Sequence, residues 1–329
     1  MYQRFYGLRE LPFELTPDPK YLFFTPRHRE ALSNLEYGLS AAKSITVLIG
    51  EAGTGKTTLL RAALASERCA NVRCVYMNNP ALTREEFVRM LANRFNLSAE
   101  SAGSKAVLLN ELEGVLLERR RRGEITALVI DEAQSLSDEL LEEIRLLANI
   151  DTPSEKLLPL VMAGQPELSA RLEETGLRQL KQRVALRCEI SPFELHETAA
   201  YIASRLRTAG GVPSKLFSRE AVSLIHEHSG GIPRTVSVIC DNALLSGMAL
   251  ERQPVDQAIV LEVCRDFLLR RQAAPVTLAA EGHVPGQQAF GPNTQAPTEE
   301  EGRETVNKPR RFSFLGTGRS AVHRRVETE

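Results

Sequence analysis

Two short segments carry residue types whose spacing can do chemistry. Residues 50–58 read GEAGTGKTT, with Gly50, Gly53 and Gly55 ahead of Lys56, Thr57 and Thr58. This satisfies G-x-x-x-x-G-K-[ST], a loop whose glycines let backbone N–H groups turn inward on phosphate oxygens. Glu51, Ala52 and Thr54 complete the loop. Lys56 is placed to neutralise β- and γ-phosphates, and the Thr57 hydroxyl to hold Mg²⁺. Residues 126–134 read TALVIDEAQ. Asp131 ends the apolar run, where its carboxylate can accept from the water shell of the same Mg²⁺, and Glu132 can polarise a water. The pair predicts ATP and Mg²⁺ as ligands and hydrolysis as the reaction.

Other residues can join that chemistry. Gln165, in MAGQPEL, falls at the end of an expected strand, where it could position the attacking water; the alternative is a turn residue before Pro166. The stretch LRQLKQRVALR places Arg178, Lys181, Arg183 and Arg187 before and within the next strand. Each is either a solvated charge or an arginine finger for a neighbouring copy's nucleotide, and Arg183 is favoured because the strand start fixes it. Arg234, in SGGIPRTVS, stands near a helix start after Gly230, Gly231 and Pro233. It reads as a γ-phosphate contact on a mobile lid, or as a plain helix-terminal charge.

These residues need a scaffold. SITVLIG reads as a strand ending at the phosphate loop, and the loop passes into helical KTTLLRAALAS, whose N-terminal dipole faces the same phosphates. VRCVYM, TALVID, LLPLVMAG and VALRCEI are further strands, separated by helical REEFVRMLANRF, VLLNELEGVLLERRRR and DELLEEIRLLANI. Alternation of this kind, with strands apolar on both faces, predicts an α/β fold with a five-stranded parallel sheet. Beyond Leu195 only helical periodicity remains, broken by Gly-Gly and Pro, which predicts a small all-helical lid. The segment after Gln272 is rich in Gly, Pro, Thr and charge and is expected to be disordered. Before the core, LPFELTPDP excludes a long helix through Pro12, Pro17 and Pro19. It reads as an ordered strap anchored by Phe13, Leu15, Tyr21, Phe23 and Phe24, with Thr25 capping the next helix and Pro26 at its first position. The strap is expected to wall the adenine pocket, with His28 either near the base or simply packed. The expected division is strap 1–26, ATPase core 27–192, helical lid 193–272 and tail 273–329.

Composition bounds the partners. Lys+Arg total 41 against 42 for Asp+Glu among 329 residues, so no global field argues for nucleic acid. The run ERRRRGE, from Glu118 to Glu124, is the best basic patch and reads first as a solvated helix end. Five cysteines without ligand spacing read as reduced, buried thiols. The amino terminus lacks a signal-peptide run and no apolar stretch is long enough to span a bilayer, so a cytoplasmic chain is expected, reaching the inner membrane only through partners.

Taken in order, IGEAGTGKTTLLR, VIDEAQSL, LLEEIRLLANID, KLLPLVMAGQPEL, LRQLKQRVALRCEISPF and GGIPRTV resemble an AAA+ ATPase. With FYGLRELPFELTPDPKYLFFTPRHREAL they resemble, more specifically, the ExeA family, also called general secretion pathway protein A, and its exosortase-locus relatives. The resemblance covers roughly residues 1–270 and implies a P-loop AAA+ core followed by a helical lid, ATP bound between them, and assembly into homo-oligomeric rings or arcs. It also implies that Gln165 is sensor 1, Arg183 the finger and Arg234 sensor 2. Full-length secretion proteins of this kind carry a membrane span and a peptidoglycan-binding module; neither is legible here, so the closer likeness is to cytosolic ATPases linked to exosortase or polysaccharide export. The implied function is ATP-driven assembly or remodelling of a secretion or envelope complex. The alternatives are a DNA-binding regulator of transposition, whose core motifs are similar, and a slow nucleotide-dependent switch.

Overall fold

The computed structural model describes residues 1–15, 19–78 and 82–272; Pro17, one of the prolines expected to exclude a long helix, and the expected disorder of 273–329 lie outside the described residues. Strands β1 (Ile45–Gly50), β2 (Val72–Met77), β3 (Ile125–Ile130), β4 (Leu160–Gly164) and β5 (Val184–Ile190) form a five-stranded parallel sheet in the order β2-β3-β4-β1-β5. Two helices precede it, α1 (Tyr2–Tyr6) and α2 (Pro26–Ser40), and α3 (Lys56–Leu64) follows β1. Helices α4 (Arg84–Phe95) and α5 (Lys105–Arg121) connect β2 to β3, and α6 (Asp138–Leu147) connects β3 to β4. Between β4 and β5 lie α7 (Pro166–Leu172) and α8 (Arg178–Lys181). The chain continues through α9 (Leu195–Thr208), α10 (Pro213–Leu216), α11 (Arg219–Ser229), α12 (Pro233–Ala249) and α13 (Gln257–Gln272).

Strand alternation builds two cores from one sheet. Ile45, Val47 and Ile49 of β1 point with Leu128 and Ile130 of β3 into a cluster closed by Phe87, Leu112 and Ile144 of α4, α5 and α6. Leu48 and Val129 face the other way and meet Leu35 and Leu39 of α2 and Leu59 and Leu60 of α3. Each such buried side chain contributes roughly 1.5–3 kcal/mol. The expectation of strands buried on both faces holds for β1, β3 and β4 but not at the edges, where β2 and β5 alternate into solvent. An edge strand has a neighbour on one side only and less helix cover. For the same reason Cys74, expected to be buried, is exposed on β2, whereas the other four cysteines are buried.

A third cluster joins α9, α11, α12 and α13 to the amino terminus. Tyr2, Tyr6, Leu8 and Phe13 pack with Leu206, Ile225 and Leu244. The Tyr2 hydroxyl donates to Asp241 on α12, and the Arg9 N–H donates to the Ala209 carbonyl at 2.9 Å. The lead-in thus begins as a helix fastened to the helical region and then crosses to α2. Thr25 caps α2, accepting from the His28 N–H at 3.4 Å, with Pro26 in the first turn. Leu15, expected as a buried anchor, is 51% exposed.

Candidate nucleotide site

Sheet register brings the chemistry to one edge. The chain leaves β1 toward β2 at one side and later crosses to β5 on the other, so the carboxyl end of β1 lies at a switch in strand order, where open α/β sheets bind ligands. Ile49 pairs with Gly164 and Ile130 with Met162. Gly50, Asp131, Glu132 and Gln165 therefore leave their strands at the same edge.

The loop after β1 has phosphate-binding geometry. Gly53 and Gly55 take φ of +83° and +101°, which a side chain would resist, and Lys56 opens α3. Lys56 is 5% exposed, and its ammonium donates to the Gly50 and Glu51 carbonyls at 2.7 and 3.1 Å. Burial lowers its pKa against the opposing pull of Glu132 and Asp131. Thr57 Oγ1 donates to Asp131 Oδ2 at 2.7 Å. A hydroxyl beside a carboxylate is a hard-oxygen pair that suits Mg²⁺ taking its remaining ligands from water and phosphate. Among the described residues no cluster of three His, Cys, Asp or Glu side chains offers a self-sufficient metal site.

Two groups hold Asp131 and Glu132 in place. Tyr76 Oη, from β2, donates to Asp131 Oδ2 at 2.7 Å, and the Glu132 N–H donates to Asp131 Oδ1 at 3.0 Å. Burial and that carboxylate push the Tyr76 phenol well above its ordinary value, so it remains a donor. Glu132 occupies the left-handed region at φ +56°, a costly conformation that places its carboxylate on the cavity wall. Gln134 Nε2 donates to Glu132 Oε2 at 2.6 Å.

The cavity beside these groups measures about 380 Å³, within the ~300–1,000 Å³ range of small-ligand pockets. Its floor is the loop from Gly53 to Thr58. One wall is the lead-in segment, including Tyr21, Phe23 and Phe24, and another is formed by Phe193, just ahead of α9, with Tyr201 and Arg205 of α9 and Arg234 of α12. Rings cross the seam, with Phe23 at 5.6 Å from Phe193 and 5.7 Å from Tyr201. His28 lines the cavity at the junction of strap and loop. Its Nε2 must donate to the Thr54 carbonyl at 3.2 Å, so Nδ1 accepts from Thr25 Oγ1 at 2.8 Å. Burial lowers its pKa, and the neutral ring buttresses the loop.

Arg234 follows Pro233 at the start of α12, where its N–H donates to the Gly53 carbonyl at 3.3 Å. A Cβ on Gly53 would lie 2.9 Å from the Arg234 Cβ, so glycine permits this approach. Gln165 caps α7; its N–H donates to Gln134 Oε1 at 3.1 Å, and its side chain is not part of the cavity wall. Val184 pairs with Ile45, which puts Arg183 at the opposite edge of the sheet from its own loop, near Asp151. Arg187 is held by Glu173 and Ser169, and Lys181 by Glu173.

Three participants escape the sequence reading. Gln134 stands in DEAQ, and its position two residues past Glu132 was a usable signal. Tyr76 and Arg205 had none, since each acts across elements far apart in the chain. Arg205 is 9% exposed and bridges the walls: it donates to Tyr201 Oη at 2.6 Å and to the Glu14 carbonyl at 3.3 Å, and lies 4.7 Å over the Tyr21 ring.

Known proteins resemble this chain in sequence over part of its length and in fold. The family model described as an AAA domain matches residues 40–172. Residues 40–172 are thus an AAA domain carried on a P-loop α/β fold. The chain is 39% identical over 249 residues to general secretion pathway protein A of Aeromonas hydrophila, a match covering 76% of this chain and 45% of that protein. It therefore spans less than half the length of that curated relative. Among solved structures it superposes on the ORC2 protein of Aeropyrum pernix with a TM-score of 0.56 at 17% identity, covering 79% of this chain and 72% of that one. Cdc6p of Pyrobaculum aerophilum gives 0.55 at 20% identity, covering 74% and 67%. At such identities these two likenesses concern the fold alone. Among the described residues no helix is long and apolar enough to cross a membrane.

Proposed function

We propose that the ATPase hydrolyses ATP between phosphate loop, strap and helical lid, and uses the cycle to assemble or remodel a secretion or envelope complex. The observation that carries the chemistry is the convergence of Lys56, Thr57, Asp131 and Glu132 on one cavity edge. The likeness to a general secretion pathway protein supports the cellular reading.

In this reading the loop amides and Lys56 bind the β- and γ-phosphates, and Thr57 and Asp131 would hold Mg²⁺, which supplies charge neutralisation. Glu132 takes a proton from water as its oxygen bonds to Pγ; the bond from Pγ to the bridging oxygen breaks and ADP leaves with the electron pair. Arg234 meets the γ-phosphate from the lid. Arg183, at the far edge of the sheet from its own loop, serves the neighbouring copy in a ring or arc. The base lies against the strap, next to Tyr21 and Arg205.

The structure supplies a reason against the DNA reading. Arg120 is paired with Glu155, Arg121 and Arg122 with Glu118 at 3.8 and 2.8 Å, and Arg119 lies 5.7 Å over the Phe95 ring. Three of these four arginines already face a carboxylate, which lowers the net positive field of the patch. The test is steady-state release of phosphate from ATP with Mg²⁺. Wild-type protein turns over and Lys56→Ala does not; equal rates would remove the phosphate loop from the reaction.

A further inference from the structure

A general base must be aimed as well as placed, and Glu132 is held by a residue that the reaction scheme leaves without a task. Gln134 Nε2 donates to Glu132 Oε2 at 2.6 Å, while Gln134 Oε1 accepts from the Gln165 N–H at 3.1 Å. The partners themselves settle which end of the amide is which. A backbone N–H only donates and an ionised carboxylate only accepts, so the flipped amide would lose both bonds.

The turn carrying Gln134 is itself fixed. Arg171, on α7, donates through Nη1 to the Gln134 and Leu136 carbonyls at 3.1 and 2.5 Å, and through Nη2 to Asp138. Space is closed from the β4 side, where a Cβ on Gly164 would lie 3.1 Å from Gln134 Oε1. One amide therefore connects the carboxylate of Glu132 to the first residue after β4.

We infer that Gln134 is a positioning residue: it holds the Glu132 carboxylate in the orientation that takes the water's proton, and ties that orientation to the β4–α7 junction. The inference rests on Glu132 acting as base. Glu132 sits in the left-handed region at φ +56°, and its side chain lines the cavity with Gln134 Nε2 on Oε2.

The experiment compares wild type, Gln134→Met and Gln134→Glu, each also combined with Glu132→Gln. Met keeps the shape without hydrogen bonding; Glu keeps the acceptor for Gln165 but sets a second carboxylate against Glu132. Turnover is read as kcat and KM for ATP, with binding of a fluorescent ATP analogue and thermal melting alongside. In each variant kcat falls about 10- to 100-fold, the cost of misplacing a reacting group by about an ångström. Binding and melting stay near wild type. In the Glu132→Gln background, single-turnover rates show less than about twofold further loss, because there is no base left to aim. Unchanged kcat in both Gln134 variants, or an equal fold-loss with and without Glu132, would overturn the inference while leaving the proposed hydrolysis intact. Wild-type turnover in Glu132→Gln alone would instead overturn the base assignment.

Discussion

The helical wall of the site hangs on a backbone contact that one methyl group would break. Gly231 has φ +71°, and a Cβ built on it would overlap the Phe193 carbonyl oxygen and lie 3.0 and 3.1 Å from the Phe193 carbon and nitrogen. All three atoms are main chain, and the Phe193 N–H donates to the Gly231 carbonyl at 2.8 Å, so neither side can withdraw cheaply. Gly231→Ala then adds a left-handed alanine, about 1–2 kcal/mol, to overpacking of about 1–3 kcal/mol and a lost hydrogen bond of about 1 kcal/mol. The expected cost is about 3–6 kcal/mol. Gly230, next door at φ +58°, has nothing within 4 Å of its own Cβ position, so Gly230→Ala costs only the conformational part. Urea unfolding of both variants gives the difference directly. Because Phe193 and Arg234 flank the cavity, Gly231→Ala also weakens nucleotide binding. Equal stability losses in the two variants would refute the close-approach argument.

Other expectations are independent of that loop. Burial depresses His28, so near pH 6 the folded chain binds fewer protons than the unfolded one. Its share of stability is present above the unfolded-state value, about 6.5, and is lost as pH falls through the lower folded value. Unfolding free energy measured from pH 7.5 to 5 declines more steeply in wild type than in His28→Gln; parallel curves would contradict a neutral buried ring. If Arg183 serves a neighbouring copy, wild-type turnover per subunit rises with protein concentration; Arg183→Ala lowers turnover about 10³-fold and removes that rise, whereas Arg187→Ala, a residue already tied to Glu173, retains it. Arg205→Lys loses the planar fork shared by Tyr201 and the Glu14 carbonyl, and affinity for ATP drops about tenfold, near 1.4 kcal/mol; unaltered affinity would remove Arg205 from the base end of the site.

Much of this was legible because its determinants are local. The glycine loop, Lys56 and Thr57 form a contiguous motif at a change from strand to helix periodicity, and the expected VRCVYM, REEFVRMLANRF and VALRCEI coincide with β2, α4 and β5. Asp131 and Glu132 were readable because an apolar strand ends abruptly in two carboxylates. The remainder depends on which distant elements meet. Tyr2 reaches Asp241 across 239 positions, and α1, too short for periodicity to reveal, owes its place to that packing. Tyr76 reads as one more residue of an edge strand until β3 brings Asp131 beside it. Arg205 reads as a surface charge on an amphipathic helix, and only the strap folding over it buries the guanidinium. Local pattern likewise cannot tell edge strands from central ones, which is why Cys74 was misplaced.

In the proposed reaction Glu132 is the base that acts on ATP held by the loop that starts at Gly50. The most direct measurement of this role is binding and turnover of ATP by Glu132→Gln beside wild type, under the same Mg²⁺ and protein concentrations. Glu132→Gln binds ATP within about threefold of the wild-type affinity, and its kcat is lower by about 10²- to 10⁴-fold. Turnover at the wild-type rate with nucleotide still bound would contradict that role.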